Sequence, residues 1–275
     1  MLADLHVHSS ASDGIYSSDT LVELARQKGL TVLGLTDHDT VEGIDSALEA
    51  GRKMGVEVVP GVELSTDWKN KEVHILGYYL DYRFEGLLVA LKKFQTEREK
   101  RVQNIVDRLR FLGYELTSDD VFKVARGEAV GRPHIAQVLV TKGYFETIDQ
   151  VFNLLLDRGR PAYVPRFKLA PQEAIKIVLG AGGVPVLAHP GLVGDDSLIC
   201  RLKSAGLQGL EVFYPQHTPQ ETERYLRLAR ELNLVVTGGS DFHGFIDREH
   251  ADLGATTVGS EEIAALRARA RGNKD

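Results

Sequence analysis

The chain predicts an α/β barrel of seven strands interrupted by a block of helices. Three observations carry this. Short apolar runs of strand length alternate with stretches of helical periodicity at both ends of the 275 residues, and strands alternating with helices argue for a parallel sheet. Between residues 82 and 166 no convincing strand can be found. Imidazole and carboxylate side chains recur at or just past the ends of the strand-like runs, which is the rim where a barrel gathers its functional groups.

Residues 2–7 read as a short apolar strand. Ser17 or Ser18 can cap a helix that runs through Leu21, Leu24 and Ala25 and stops near Gly29. A strand over 31–35 and a helix over 41–54 follow, with Asp39 as the helix cap and Gly55 behind it. Strands over 56–64 and 72–80 come next. From Phe84 the apolar positions Leu87, Leu88, Leu91, Phe94, Val102, Ile105, Val106, Leu109 and Leu112 keep spacings of three and four, so a long amphipathic helix is expected up to Gly113. Helices over 118–125, 133–142 and 146–156 complete that block. After Pro171 the alternation resumes: helix 172–179, strand 184–188, helix 195–205, strand 210–213, helix 219–232, strand 234–237 and a terminal helix over 261–271. Residues 253–258 could add a short further strand. The expected organisation is therefore a barrel made of 1–84 and 167–275, carrying a substrate-facing helical insertion at 85–166.

Composition narrows the class. Hydrophobic residues at 43% and charged residues at 26% set aside a disordered or fibrous chain. A formal net charge of −6 argues against coating long duplex nucleic acid, and leaves small anionic substrates open because a metal can invert the local potential. The charge is uneven: residues 85–167 hold 14 Lys/Arg and 11 Asp/Glu, a net of +3, which leaves −9 for the rest. The single cysteine, Cys200, excludes an intramolecular disulfide and fits a reducing compartment. No signal peptide is visible, and no run approaches the ~18 apolar residues of a membrane span. A cytoplasmic protein without membrane partners is expected.

Five clusters carry the chemistry. His6 and His8 are two apart in a strand and therefore share one face. Asp13 follows shortly. Asp37-His38-Asp39 stands at the mouth of the next strand; His38 is read as a ligand, and Asp37 as a group that orients a histidine through its free ring N–H. Glu63 lies inside an apolar strand, where an uncompensated carboxylate is costly and needs a cation or a raised pKa. His74 in the following strand fits either a partner of Glu63 or a satisfied core histidine. His189 follows the strand 184–188, and Asp241 and His243 repeat the two-residue spacing after Gly238-Gly239, glycines that let backbone approach a site closely. Five such clusters at strand ends point to a multinuclear metal site and a metal-dependent hydrolase.

These residues resemble the PHP (polymerase and histidinol phosphatase) superfamily: His6-x-His8, Thr36-Asp37-His38, the strand-end Glu63, His189-Pro190 and Asp241-x-His243 match its motifs in the family's order. The resemblance implies a distorted (β/α)7 barrel holding two to three divalent ions, Mn²⁺ foremost, with Zn²⁺, Fe²⁺ or Mg²⁺ as alternatives. Carried over by position, His6, His8, Glu63 and Asp241 would hold one ion. Glu63, His74 and His189 would hold a second, with Glu63 bridging. Asp13, His38 and His243 would hold a third, which the carboxylate of Asp13 makes harder and more Mn²⁺-like. Asp13-Gly14, Gly61-Val62-Glu63-Leu64-Ser65, His74-Ile75-Leu76-Gly77-Tyr78 and Gly131-Arg132-Pro133-His134 resemble the bacterial nucleoside 3′,5′-bisphosphate phosphatase and RNase AM group.

The expected activity is phosphoester hydrolysis by a metal-bridged hydroxide. Nucleoside 3′,5′-bisphosphates would yield 5′-monophosphates, and short 5′-phosphorylated RNA would release 5′ nucleotides. Pro133 suits a first helical turn and places Arg132 and His134 beside a helix N-terminus, where anions are favoured. Ser65 and Arg160 are further substrate-binding candidates, and Arg166 and Lys168 weaker ones. His217, or a metal-bound water, is the candidate for protonating the leaving alkoxide. Two other functions fit parts of this pattern. Histidinol-phosphate phosphatase is opposed by the helical insertion and Gly-Arg-Pro-His. A non-catalytic nucleotide sensor is opposed by the complete set of ligands.

Overall fold

A computed structural model of the chain describes residues 1–125, 130–165, 167, 169–244 and 251–273. It divides into two compact units, Met1–Ala90 with Leu169–Asp275, and Leu91–Lys168.

The first unit is built on seven strands: β1 Ala3–Val7, β2 Val32–Leu35, β3 Glu57–Trp68, β4 Lys71–Tyr78, β5 Val184–Leu187, β6 Gly209–Phe213 and β7 Val235–Gly238. Their order in the sheet is their order in the chain. β1–β2, β2–β3, β5–β6 and β6–β7 pair in parallel. β4 is antiparallel to both β3 and β5, which corrects the expectation of an all-parallel sheet. The cause is local. Lys69 and Asn70 at the β3–β4 turn both have positive φ, 51° and 66°, the conformation of a tight hairpin that reverses the chain without a crossover helix. Past the last strand, Phe242 bridges Val7 and Val258 bridges Ala3, so the sheet nearly closes on itself. Among the described residues, 253–258 supply only that one bridge, because a turn at Asp252–Ala255 and Gly254 with φ 76° intervene.

Helices cover the strands because their apolar stripes leave them no alternative. α1 (Ser18–Gln27) buries Leu21, Val22 and Ala25, and α2 (Ile44–Met54) buries Ile44, Ala47 and Ala50. Both pack with Val7, Leu33, Leu35 and Val58 in one cluster. α2 starts later than expected. Gly43 precedes it, and Asp39 does not cap it; the Asp39 carboxylate accepts the Ser65 N–H at 2.9 Å, tying the loop after β2 to β3.

α3 (Glu85–Phe111) is the expected long helix, and from Leu91 onward it belongs to the second unit with α4 (Ser118–Ala125), α5 (Arg132–Thr141) and α6 (Ile148–Val151). Thr147 caps α6, whose end widens into a π-helical turn over Phe152–Leu156. Val102, Ile105, Leu109, Ile135, Leu139, Val151 and Leu156 form this unit's core. In the first unit α7 (Pro171–Gly180), α9 (Asp196–Ser204), α10 (Pro219–Glu231) and α11 (Ser260–Gly272) follow expectation. The four-residue turn α8 (Pro190–Val193), directly after His189, is additional to the expected helices, being too short to leave a periodic pattern in the sequence.

Candidate metal centre

β1, β2, β5 and β7 deliver the polar groups at or just past their ends; β3 runs on to Trp68, so Glu63 stands in mid-strand rather than at the expected strand end, and β4 adds one more group. His6 is the penultimate residue of β1 and His8 follows the strand; both are fully buried. His38 lies on the continuation of β2, which bridges β3 at Glu63. In the β3–β4 hairpin Glu63 pairs with Leu76 and Ser65 with His74, so Glu63, Ser65 and His74 share a face and His74 is the diagonal neighbour of Glu63. His74 is therefore a partner of Glu63. His189 ends the β5 segment, and Asp241 and His243 follow β7. Gly239 is required here: a Cβ on it would stand 2.4 Å from the backbone nitrogen of His6.

Glu63 is the hub, and its two oxygens face different partners. Oε2 stands 3.2 Å from His6 Nε2, from His8 Nε2 and from His38 Nδ1. Oε1 stands 2.8 Å from His74 Nδ1 and 3.2 Å from His189 Nε2. Asp241 Oδ1 completes the first set at 3.3 Å from His6 Nε2 and 3.1 Å from His8 Nε2. Asp13 makes a third set, 3.3 Å from His243 Nε2, 3.6 Å from His8 Nδ1 and 3.8 Å from His38 Nε2. Ligand atoms converge in three groups, His6, His8, Glu63 and Asp241; His8, Asp13, His38 and His243; and His38, Glu63 and His74, so His8 and His38 are shared, and His38 stands with Glu63 and His74 where the resemblance implied His189, which meets Glu63 Oε1 but joins none of the three groups.

These spacings suit metal ions better than direct hydrogen bonds. Ligand atoms about 2.1 Å from one ion, at tetrahedral or octahedral angles, stand about 3.0–3.4 Å apart. Among the described residues, both ring nitrogens of His8 and Nδ1 of His38 are buried without a hydrogen bond of acceptable direction, although carboxylate oxygens lie close by. Groups so placed are costly unless a cation sits between them.

The electrostatics agree. Burial would raise the Glu63 pKa, but the imidazoles of His38, His6 and His74 hold it well below the usual carboxylate range. Asp241 is likewise opposed by burial and held low by His6 and His8. Burial works against protonation of His8 and His74, yet their carboxylate neighbours hold each up at about 10. His38 is carried down to about 4 by burial. Both carboxylates are thus ionised at neutral pH, a competent donor set for divalent ions.

Several further polar groups support the site. Glu211, fully buried on β6, accepts His6 Nδ1–H at 2.9 Å and the His189 backbone N–H at 2.8 Å. It orients a histidine, the task expected of Asp37. Asp37 instead gathers the loop after β1, accepting from Ser9 N, Ser9 Oγ and Ser12 Oγ, each at 2.7 Å. Asp4, also buried, accepts from Ser240 N and Oγ and from Gly254 N, tying β1 to the chain after β7. Tyr214 donates its hydroxyl to Asp241 Oδ2 at 3.1 Å. A carboxylate inside an apolar strand was the signal that singled out Glu63, and the same signal is present at Asp4 and Glu211.

Other candidates have other surroundings. His217 donates from Nδ1 to the Val212 carbonyl at 2.9 Å and accepts at Nε2 from the Gly191 N–H at 3.2 Å. Both ring nitrogens are thus committed to backbone, with the ring proton directed at the Val212 carbonyl. In the second unit, Arg132 is the first residue of α5, donates to the Leu156 carbonyl at 3.1 Å and lies over the Phe152 ring. His134 Nδ1 accepts the Gly131 N–H at 3.1 Å. Arg160 is exposed in a turn whose backbone N–H donates to the Asp157 carbonyl. Ser65 is half-buried, and its N–H is the one held by Asp39. Arg166 and Lys168 lie outside the described residues.

Comparison with known proteins gives a consistent picture. The model of the PHP domain family matches residues 4–157. A 5′-3′ exoribonuclease of Haemophilus influenzae is 36% identical over 245 residues, which cover 87% of this chain and 89% of that protein. A 3′,5′-nucleoside bisphosphate phosphatase of Chromobacterium violaceum is 31% identical over 246 residues, covering 87% and 86%. The crystal structure of a Bifidobacterium adolescentis protein assigned as a metal-dependent phosphoesterase superposes with a TM-score of 0.84 at 33% identity, covering 97% of this chain and 96% of that one.

Proposed function

The chain belongs to the PHP domain family and is a metal-dependent phosphoesterase, and on that premise we propose that it removes the 3′-phosphate from nucleoside 3′,5′-bisphosphates and releases 5′ nucleotides from short 5′-phosphorylated RNA. The observation that carries this reading is the division of Glu63, whose two oxygens serve two sets of imidazoles while Asp13 collects a third. Likeness to relatives named for these two activities supports the substrate class. We assign His6, His8, Glu63 and Asp241 to one ion, Glu63, His74 and His189 to a second, and Asp13, His38 and His243 to a third, with Mn²⁺ as the first ion to test.

When bound, such ions supply Lewis acidity toward a phosphoryl group and a nucleophile at neutral pH. The protein's own groups do the positioning. Glu63 holds the sets together through its two oxygens. Glu211 fixes the ring of His6 and the backbone of His189. Tyr214 orients the Asp241 carboxylate. Arg132 and His134, at the start of α5, are assigned to substrate phosphate, with Ser65 and Arg160 as further contacts. Support for Arg132 is its planar fork at the start of a helix.

The direct test is phosphate release from adenosine 3′,5′-bisphosphate by Mn²⁺-loaded protein, run beside 5′-phosphorylated di- to pentanucleotides and histidinol phosphate. Release from the first two classes and not the third supports the reading. Silence on adenosine bisphosphate, with a competent control enzyme, rejects the mononucleotide activity.

A further inference from the structure

His189 is unusual among the site's histidines in its backbone. Its φ is 27° and its ψ 60°, a conformation that side-chain-bearing residues rarely adopt and that persists only where the surroundings enforce it. Two contacts surround that residue. Upstream, the Glu211 carboxylate accepts the His189 N–H at 2.8 Å. Downstream, His217 Nε2 accepts the Gly191 N–H at 3.2 Å. Gly191 has no room for a side chain, since a Cβ there would meet His217 Cδ2 at 2.7 Å.

His217 is itself firmly held. Its Nδ1 donates to the Val212 carbonyl of β6 and its N–H to the Tyr214 carbonyl. The next residue, Thr218, caps α10 by accepting the Glu221 N–H, and Glu221 returns the contact to the Thr218 N–H. The rings of Tyr214 and Tyr225 stand 5.3 Å and 5.1 Å from the His217 ring. A rigid strand end and a capped helix therefore hold one imidazole against the turn that follows His189.

We propose that His217 is a positioning residue for the metal centre: together with Glu211 it clamps the turn His189-Pro190-Gly191, and so keeps His189 Nε2 directed at Glu63 Oε1, 3.2 Å away. The proposal rests on the assignment of His189 as a metal ligand. It places His217 outside proton transfer.

The test is direct Mn²⁺ titration of chelator-stripped full-length protein, with thermal melting as the folding control. H217F keeps the ring's bulk and removes both hydrogen bonds; it is expected to weaken the most affected Mn²⁺ site roughly 10-fold, the scale on which groups that orient metal ligands act. H217Q restores an acceptor toward Gly191 and should recover part of the affinity. In an H189A background the H217F change should add nothing, because two changes acting through one ligand do not sum. Wild-type Mn²⁺ affinity in folded H217F would overturn the proposal, and so would full additivity with H189A. If H189A alone leaves all Mn²⁺ sites at wild-type affinity, His189 is no ligand and the assignment fails with the proposal. H217F with normal metal binding and a kcat defect that disappears on a substrate with a good leaving group would return His217 to the role of general acid.

Discussion

At the scale of single residues, Glu63 and Glu211 make the sharpest contrast. Both are buried carboxylates inside apolar strands, but Glu63 faces five imidazoles with its two oxygens and Glu211 accepts two N–H groups. Glu63→Gln removes the charge that the donor sets share, so bound metal and phosphoesterase activity should be lost together, measured by elemental analysis and phosphate release. Glu211→Gln keeps one acceptor and turns an amide N–H toward the other donor. It should retain the fold and weaken metal affinity by about 10- to 100-fold, with turnover recovering as Mn²⁺ is raised. Arg132→Ala should act differently, raising KM roughly tenfold, as expected for loss of one charge-assisted contact, while kcat stays near wild type. Arg132→Lys, which keeps the charge without the fork, should fall between. Unchanged kinetics of Arg132→Ala on every phosphorylated substrate would remove that residue from phosphate binding.

At the scale of elements, the site depends on how strand ends are tied to one another. β1 supplies His6 and leads into His8, and it is fastened to the segment after β7 by Asp4, which takes N–H and hydroxyl donors from Ser240 and an N–H from Gly254. Burial raises Asp4 to about 6 against the lowering effect of these donors. Asparagine is not a substitute, because its amide would turn a donor toward a donor. Asp4→Asn should destabilise the protein by about 1–3 kcal/mol, visible as a lower denaturation midpoint with unchanged slope. Backbone strain sits at the same strand ends. Asp39, His189 and Asp241 have φ of 54°, 27° and 55°, and each lies in or beside a ligand cluster, the pattern expected where surrounding contacts hold functional groups in place.

At the scale of the whole molecule, protons and metal compete for the same nitrogens. Without metal, His8 and His74 are raised from 6.5 to about 10 by their carboxylate neighbours. Their contribution to stability is complete below pH 6.5 and lost as pH rises toward 10. Glu63 and Asp241, held low, contribute above their unfolded values and lose that contribution as pH falls through the acid range. Chelator-treated protein should therefore melt at progressively lower temperature from pH 7 to pH 10. The Mn²⁺-loaded protein should instead gain on the treated form over that interval, because metal binding displaces those protons. Parallel melting curves for the two forms would contradict this. Seven metal-type side chains, His6, His8, His38, Glu63, His189, Asp241 and His243, were legible in the sequence from residue type and position at the strand-like runs, because few side chains bind divalent ions and because strand periodicity is local; Asp13 and His74 entered the ligand sets through the family resemblance. The seven strands were legible for the same local reason, and the long α3 from its spacing of three and four. The direction of β4 was not, since it follows from two positive-φ residues in a hairpin. Nor were the sharing of His8 between two sets, the pairing of His6 with Glu211 across 205 residues, or the commitment of His217 to backbone. These are contacts between segments far apart in the chain, and only the closing of the sheet brings them within hydrogen-bond reach.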